Sequence, residues 1–306
     1  MRLGVSIPPA GVGLRRVPEF VRRAEELGYE DAWSYEGVAL DGFTPVALAS
    51  AATGRMRLGI AIVPVFLRPP ALLAMSAAAM AVAAPDRFVL GLGASTKVIV
   101  EGWMGVPFEK PLERTLQTAR TVRMLLAGKR VGSFRLAVVP ESPPPIWLAT
   151  LGPKILTAAR EVADGLCFFL VGPRLLPELL SAAPGLDSMA RVIAYLGRRE
   201  DVLPLARRAL VPYALSPGYQ PVLRRQGFAE EVDAVAAKWA AGERAEAPGQ
   251  VSDAMIEELV LIGDIEEIRG RVADYAAAGL GTIAIQANTD AEALLEALAP
   301  ARTKPS

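Results

Sequence analysis

Histidine is missing from all 306 residues of the chain. Its absence removes the most common general base in proteins, and with it Ser-His and Cys-His nucleophile pairs. Zinc sites built on histidine are excluded for the same reason. Any chemistry must therefore use carboxylates, hydroxyls, lysine, arginine, tyrosine or a bound cofactor.

Cysteine occurs once, at Cys167. One cysteine cannot form a disulfide within the chain, and it cannot build a thiolate zinc site. We therefore expect no metal centre. We also expect a protein of the reducing cytoplasm, since the first residues read as a strand and not as a signal peptide.

Neither charge sign is in excess, since 33 Lys and Arg residues balance 33 Asp and Glu residues. Such a balance lacks the basic surface with which proteins bind nucleic acids or anionic membranes. The most apolar window, Ala71 to Ala84, is shorter than the roughly 20 residues that span a bilayer. We interpret it as a buried helix, and we expect neither nucleic acid nor membrane as a partner.

Short apolar runs rich in Val and Ile alternate with helical patterns along the whole chain. Continuously apolar strands are typical of a parallel sheet covered by helices on its outer face. Eight such runs predict a single (β/α)8 TIM barrel over residues 1–306, with a helical insertion after strand seven at about Leu203 to Gly242. The predicted strands are Leu3–Pro8, Asp31–Tyr35, Met56–Val65, Arg87–Gly93, Pro145–Ala149, Gly165–Leu170, Met189–Leu196 and Thr282–Gln286.

The main alternative fold is an open, doubly wound parallel sheet. Such sheets commonly carry a G-x-G-x-x-G motif between the first strand and its helix. Here the only comparable pair, Gly91 and Gly93, follows the fourth strand and lacks the third glycine. The barrel is therefore favoured.

Five segments carry a resemblance to a known family: Arg55 to Pro64, Asp86 to Ser95, Glu101 to Pro111, Leu151 to Lys154, and Glu161 to Gly165. Together they resemble the luciferase-like monooxygenase superfamily, in particular its F420-dependent branch, which includes methylenetetrahydromethanopterin reductases. The resemblance implies a luciferase-like barrel that seats a flavin or deazaflavin ring at the C-terminal ends of its strands. It also implies a homodimer and a small-molecule substrate.

The resemblance and the strand ends together suggest the site residues. Glu36 and Tyr35, which follow the second strand, are the catalytic candidates; the alternatives are a solvated loop carboxylate and a packing tyrosine. The resemblance also implies a non-proline cis peptide between Ala61 and Ile62. The candidate cofactor-binding residues are Ser6, Ser34, Ala61, Ile62, Val63, Gly93, Ala94, Ser95, Thr150, Leu151, Gly152 and Pro153.

The last four of these residues open the fifth helix. Pro153 suits a first helical turn, and free N–H groups at Leu151 and Gly152 would suit an anion. The resemblance implies that the cofactor phosphate binds there. Ordinary helix capping is the alternative.

Two features depart from the family pattern. Met104 stands where relatives usually carry histidine, so any proton transfer at that position is lost. The regions Val131 to Pro143 and around Gly185 look shortened, and these commonly form the substrate lid and the cofactor rim.

Hydride transfer needs positioning and a dry pocket more than it needs side-chain chemistry, because the cofactor supplies the reactive carbon. A chain without histidine therefore suits hydride transfer with coenzyme F420. FMN-dependent monooxygenation is the first alternative. A barrel that has lost its cofactor and acts as a binding or partner protein is the second.

Overall fold

A parallel β-barrel forms the centre of the molecule. The computed structural model describes residues 1–37, 39–149 and 152–300. Its strands are β1 (Arg2–Ser6), β2 (Asp31–Ser34), β3 (Arg57–Pro64), β4 (Phe88–Gly93), β5 (Ile146–Ala149), β6 (Gly165–Phe169), β7 (Asp187–Leu196), β8 (Val260–Gly263) and β9 (Thr282–Ala287). The ring closes because β9 pairs with both β7 and β1. Eight strands, all except β8, form this ring and confirm the predicted (β/α)8 barrel.

Helices cover the outside of the barrel between successive strands. They are α1 (Val17–Leu27), α2 (Phe43–Ser50), α3 (Pro70–Ala83), α4 (Pro111–Leu126), α5 (Pro153–Val162), α6 (Leu176–Ser181), α7 (Arg199–Ala214), α8 (Gln220–Arg225), α9 (Ala229–Ala240), α10 (Asp253–Leu259), α11 (Ile265–Ala277) and α12 (Ala291–Ala297). A π-helical turn at Val98–Trp103 follows β4. The predicted insertion after strand seven is confirmed as a helical layer.

That insertion differs from the prediction in its details. The region Leu203 to Gly242 is not one helical stretch but three helices, α7, α8 and α9. The Ser-Pro-Gly sequence at 216–218 separates the first two helices, because proline and glycine favour turns over helix interiors. Gly227, in the left-handed conformation, separates the second and third.

The ninth strand, β8, was not predicted. It pairs with Ile193 to Leu196 of β7, beyond the part of β7 that pairs with β6. Four apolar residues between a helix and the capping residue Asp264 give too short a pattern to separate a strand from a helix end. The sheet therefore has nine strands where the sequence predicted eight.

Several predicted boundaries were wrong by a few residues. Strand one ends at Ser6 and not Pro8, strand two ends at Ser34 and not Tyr35, and strand seven begins at Asp187 and not Met189. Helix α3 is not fully buried either, since Leu72, Met75 and Val82 are exposed. Hydropathy alone reports that this helix is apolar, and it does not report which face is covered.

Two tryptophans fill the centre of the barrel. Trp33 and Trp147 are buried, and their ring centroids lie 5.2 Å apart. Glycines on neighbouring strands make room for them: a Cβ at Gly59 would lie 2.1 Å from Trp33, and a Cβ at Gly165 would lie 2.4 Å from Trp147. The rings separate the charged lower end of the barrel from its upper end.

Candidate functional site

The upper end of the barrel is lined by one residue from each strand of the closed ring. Side chains alternate along a strand, and Arg2, Asp31, Arg57, Asp187 and Thr282 meet at the lower end. Every second residue above them on the same strand also points into the barrel, up to the C-terminal strand ends. The eight residues found there, which we call the barrel mouth, are Ser6, Tyr35, Ala61, Gly93, Ala149, Phe169, Arg191 and Gln286.

One half of the barrel mouth carries only small side chains. Ala61, Gly93 and Ala149 come from the adjacent strands β3, β4 and β5. A Cβ at Gly93 would lie 3.0 Å from Ala149 Cβ and 3.0 Å from Ile62 Cγ1, so the glycine lets the side chains of Ala149 and Ile62 pack close to β4. This small-residue half forms a shallow apolar floor above the tryptophan pair.

The peptide bond between Ala61 and Ile62 is cis, as the resemblance implied. The pairing of β3 with β4 shifts register between Ile60 and Val63. Both Ala61 and Ile62 pack against the cluster around Trp33 and Trp147. Val63 packs in the outer core between the barrel and its helices, where it is fully buried.

Ser6 contributes a buried polar atom without a partner. Its side chain is 1% exposed, and its hydroxyl oxygen makes no hydrogen bond to the described part of the chain. A buried hydroxyl without a partner is costly, and natural structures rarely keep one without a reason. A ligand in the barrel mouth could supply the missing hydrogen bond.

The opposite half of the barrel mouth is lined by large side chains. The guanidinium carbon of Arg191 lies 4.0 Å from the ring centroid of Tyr35 and 4.0 Å from that of Phe169. Arg191 also donates a 2.5 Å hydrogen bond to Gln286 Oε1. Cation–π contacts on both faces fix the plane of this guanidinium.

The helical insertion adds two tyrosines behind Phe169. Tyr213 and Tyr219 meet Phe169 edge-on at 5.2 and 6.0 Å, and they meet each other at 5.1 Å. Burial raises the pKa of Tyr219 to about 12, although the nearby Arg191 charge acts in the opposite direction. Both phenols therefore stay neutral near pH 7, and the insertion forms an aromatic wall.

Glu36 lies just outside the barrel mouth and is held in an ion pair. Its carboxylate accepts hydrogen bonds from Arg68, at 2.7 Å, and from the Gly42 N–H, at 3.1 Å. This interaction with Glu36 raises the pKa of Arg68. The Glu36 N–H also donates to the carbonyl of Ile62, so the residue joins the loop after β2 to β3.

The remaining predicted cofactor residues lie at different depths. Ser34 is buried, and its hydroxyl donates to the Gly42 carbonyl on the outer side of β2. Ala94 and Ser95 are half-buried beyond the end of β4, and Ser95 adopts the left-handed conformation with φ 65°. Ser34 therefore belongs to the loop support, whereas Ala94 and Ser95 remain at the upper end of the barrel.

The predicted phosphate-binding residues are only partly described. Thr150 and Leu151 lie outside the described residues. Gly152 is the N-cap of α5 and has extended backbone angles, and none of the described side chains caps this helix end. Pro153 begins the helix, as the sequence predicted.

The sequence missed Arg191, Phe169, Gln286 and the two insertion tyrosines. Strand alternation would have identified Arg191, because Asp187, Met189 and Arg191 lie on one face of β7. The tyrosines come from a helix and a turn whose position over the barrel no local pattern reports.

Two further observations limit which kinds of site the described residues can form. Among the described residues, no group of three or more acidic, cysteine or histidine side chains is placed to hold a metal ion. None of the helices that the structure describes has both the length and the apolarity to cross a bilayer.

In closed parallel barrels of this kind, enzyme active sites lie at the C-terminal ends of the strands. The family model described as luciferase-like monooxygenase matches residues 1–282. The chain belongs to this family, which confirms the predicted resemblance, fold and enzyme class of luciferase-like oxidoreductase.

Individual relatives agree with this assignment. A Mycobacterium tuberculosis protein named as a coenzyme F420-dependent oxidoreductase is 28% identical and spans 89% of this chain and 90% of its own length. The F420-dependent tetrahydromethanopterin reductase of Methanopyrus kandleri has the same fold, with a TM-score of 0.79, 19% identity and 97% of each chain covered. The FMN-bound oxygenating constituent of 3,6-diketocamphane monooxygenase from Pseudomonas putida is more distant, with a TM-score of 0.64, 14% identity and 98% and 97% coverage.

Proposed function

We propose that this enzyme transfers a hydride between reduced coenzyme F420 and a small organic substrate. The observations that carry the proposal are the small-residue half of the barrel mouth and the buried hydroxyl of Ser6, which has no partner among the described residues. A flat cofactor ring can pack one face on these small apolar residues, and a polar atom at its edge can form a hydrogen bond with the Ser6 hydroxyl. The relative named as F420-dependent supports the choice of cofactor.

The chain's own residues suit this cofactor. Ala61, Gly93 and Ala149 would lie against one face of the ring, and Ser6 would bond a polar atom at its edge. Residues Thr150 to Pro153 would hold the phosphate at the N-terminus of α5, where N–H groups favour anions. When bound, the cofactor supplies the carbon that gives or takes the hydride.

Catalysis would then depend on position and the exclusion of water. The tryptophan pair seals the barrel from below, and the aromatic wall of the insertion shields one side. Tyr35 borders the barrel mouth and is our candidate for direct contact with the ligand. Glu36, through its bonds to Arg68, Gly42 and Ile62, would position the loop beside the ring.

Titration of the purified protein with F420 and, separately, with FMN tests the proposal through the change in cofactor fluorescence. We expect F420 to bind and the variant Ala149→Leu to bind it at least tenfold more weakly, since leucine would occupy the floor. Ala237→Leu, the same change on the exposed face of α9, is the matched control and should bind normally.

Other outcomes identify the alternatives. Binding of FMN alone, with NADH-driven oxygen uptake, would establish the monooxygenase, a function that the FMN-bound neighbour favours. Binding of neither cofactor by a folded protein would refute both, and would leave a binding or partner protein.

A further inference from the structure

Arg191 differs in its pairing from three other half-buried arginines of this protein. Arg2, Arg57 and Arg68 each form an ion pair with a carboxylate. Arg191 has no carboxylate partner within the described residues, and its hydrogen bond goes to the neutral side chain of Gln286. The barrel mouth therefore contains a partly desolvated positive charge that no acidic residue balances, which is unfavourable without a compensating anion.

The surroundings of Arg191 leave one direction open for such an anion. Tyr35 and Phe169 cover the two faces of the guanidinium, and Gln286 accepts from Nη1. The edge formed by Nε and Nη2 has no hydrogen-bond partner in the described chain. Two parallel N–H donors on one edge match the two oxygens of a carboxylate.

The guanidinium is also rigidly placed. Phe169 is the direct register partner of Arg191 on the neighbouring strand, so the stacking is built into the pairing of β6 and β7. Gln286 is fixed in turn, because its amide donates to Asn288 at 3.1 Å and Asn288 donates to the Tyr195 hydroxyl at 3.0 Å. A donor held in this way binds without further ordering of the protein.

We propose that Arg191 binds the carboxylate of the substrate, and that the substrate is a small organic acid with an apolar or aromatic body. This inference rests on the proposed function, because it takes the barrel mouth as the place where substrate meets cofactor. The acid group lies on the free edge of Arg191. The apolar body lies between the aromatic wall and the small-residue half.

Benzoate and benzamide test the proposal, because they share one shape and differ in charge. Their binding is measured by calorimetry on the wild-type protein, on Arg191→Gln and on Arg191→Lys. We expect the wild type to prefer benzoate about tenfold, as a charge-assisted hydrogen-bonded pair allows. Arg191→Gln should bind both compounds equally, and Arg191→Lys should keep part of the preference.

Arg87→Gln is the matched control. Arg87 is also half-buried without a carboxylate partner, but it lies at the lower end of the barrel and donates to Thr53 and the Met56 carbonyl. This variant should keep the full preference for benzoate. Thermal melting of each variant establishes that it is folded before its binding is compared.

Equal binding of benzoate and benzamide by the wild type, or an unchanged preference in Arg191→Gln, would overturn the proposal. A second arm repeats the titration with F420 or FMN bound. Loss of the preference there, together with weaker cofactor binding by Arg191→Gln, would assign the arginine to oxygen atoms of the cofactor and reject the substrate role. Because the first arm needs no cofactor, its result is independent of whether the proposed function holds.

Discussion

Asp31 shows how one residue secures the lower end of the barrel. Its carboxylate is fully buried and accepts hydrogen bonds from Arg57, Thr282 and Trp33. Arg57 in turn lies 5.5 Å from the Trp33 ring centroid and 5.0 Å from that of Trp147. The ion pair and the tryptophan pair are therefore one connected unit.

Replacing Asp31 with asparagine should strongly destabilise the fold. The substitution leaves the guanidinium of Arg57 buried with one carboxylate fewer, and breaking a buried pair costs about 3 kcal/mol or more. For a chain of this size the melting temperature should fall by about 5 °C. Glu292→Gln, which breaks the exposed pair with Arg16, is the control and should change stability far less, because water screens an exposed pair. Equal effects of the two substitutions in calorimetry would contradict the prediction.

Asp187 makes stability depend on pH. Burial alone would raise the pKa of this carboxyl, but hydrogen bonds from the Ser188 N–H and Arg57, and the charge of Arg2, outweigh burial and lower it. A lowered folded-state pKa stabilises the protein above the unfolded-state pKa of about 4, and this contribution disappears as the pH falls through the folded-state value.

The wild type should therefore melt at a higher temperature than Asp187→Asn at pH 7, and the difference should narrow as the pH falls below about 4. Melting curves of the two proteins at a series of pH values measure this difference. A difference in melting temperature that stays constant down to pH 3 would show that the Asp187 carboxyl does not titrate as described.

At the scale of strands, the packing inside the barrel depends on pairing each large tryptophan with a glycine on the neighbouring strand. Glycine at positions 59 and 165 is required because the tryptophan rings occupy the space of a Cβ. Gly59→Ala should cost about 3 kcal/mol, since a methyl group 2.1 Å from Trp33 forces the ring or the strand to move.

In a Trp33→Leu background the same glycine substitution should cost less than about 1 kcal/mol, because the clashing ring atoms are gone. Gly54→Ala is the matched control, since an added Cβ there meets nothing within 4 Å. Denaturant unfolding of the four proteins gives the coupling between the two sites. An unchanged cost without Trp33 would mean that the clash lies elsewhere.

Sequence patterns predicted the elements better than the site. Apolar runs identified the eight strands of the closed ring, because a buried parallel strand must be apolar along its whole length. Alternation inside the barrel was not used, although it places Asp187, Met189 and Arg191 on one face. The contacts of Arg191 with Tyr35 and Phe169 depend on ring closure and on strand register, which the sequence of β7 alone does not contain.

The sequence predicted several site residues that lie on the barrel strands, but it did not predict the contacts that depend on how the loops are placed. Ser6 and Gly93 line the barrel mouth because each ends a strand on its inner face, and Ala61 lines it from within β3. Glu36 was singled out by its position after β2, but Arg68, its ion-pair partner, lies 32 residues further along the chain. Such a partner is found only when the loops are placed in space.

At the scale of the whole molecule, one side of α3 is an apolar face that the rest of the described chain leaves uncovered. Leu72, Met75 and Val82 are 42%, 51% and 59% exposed, and they recur at helical spacing along one side. The helix contains no charged residue. A surface helix normally carries a polar outer face, so this face suits contact with another apolar surface.

We predict that a second copy of the chain covers this face, which would give the homodimer that the family resemblance implies. A two-fold dimer places the same surface of both subunits together, so an apolar stripe is complementary to itself. In analytical ultracentrifugation the wild type should sediment as a dimer. The double substitution Met75→Glu and Val82→Glu should give a 32.4 kDa monomer, because it buries four like charges in the interface. Val138→Glu adds a charge at an equally exposed valine outside α3 and should leave the dimer intact. A wild type that is monomeric at micromolar concentration, or a double variant that remains dimeric, would show that α3 does not form the interface.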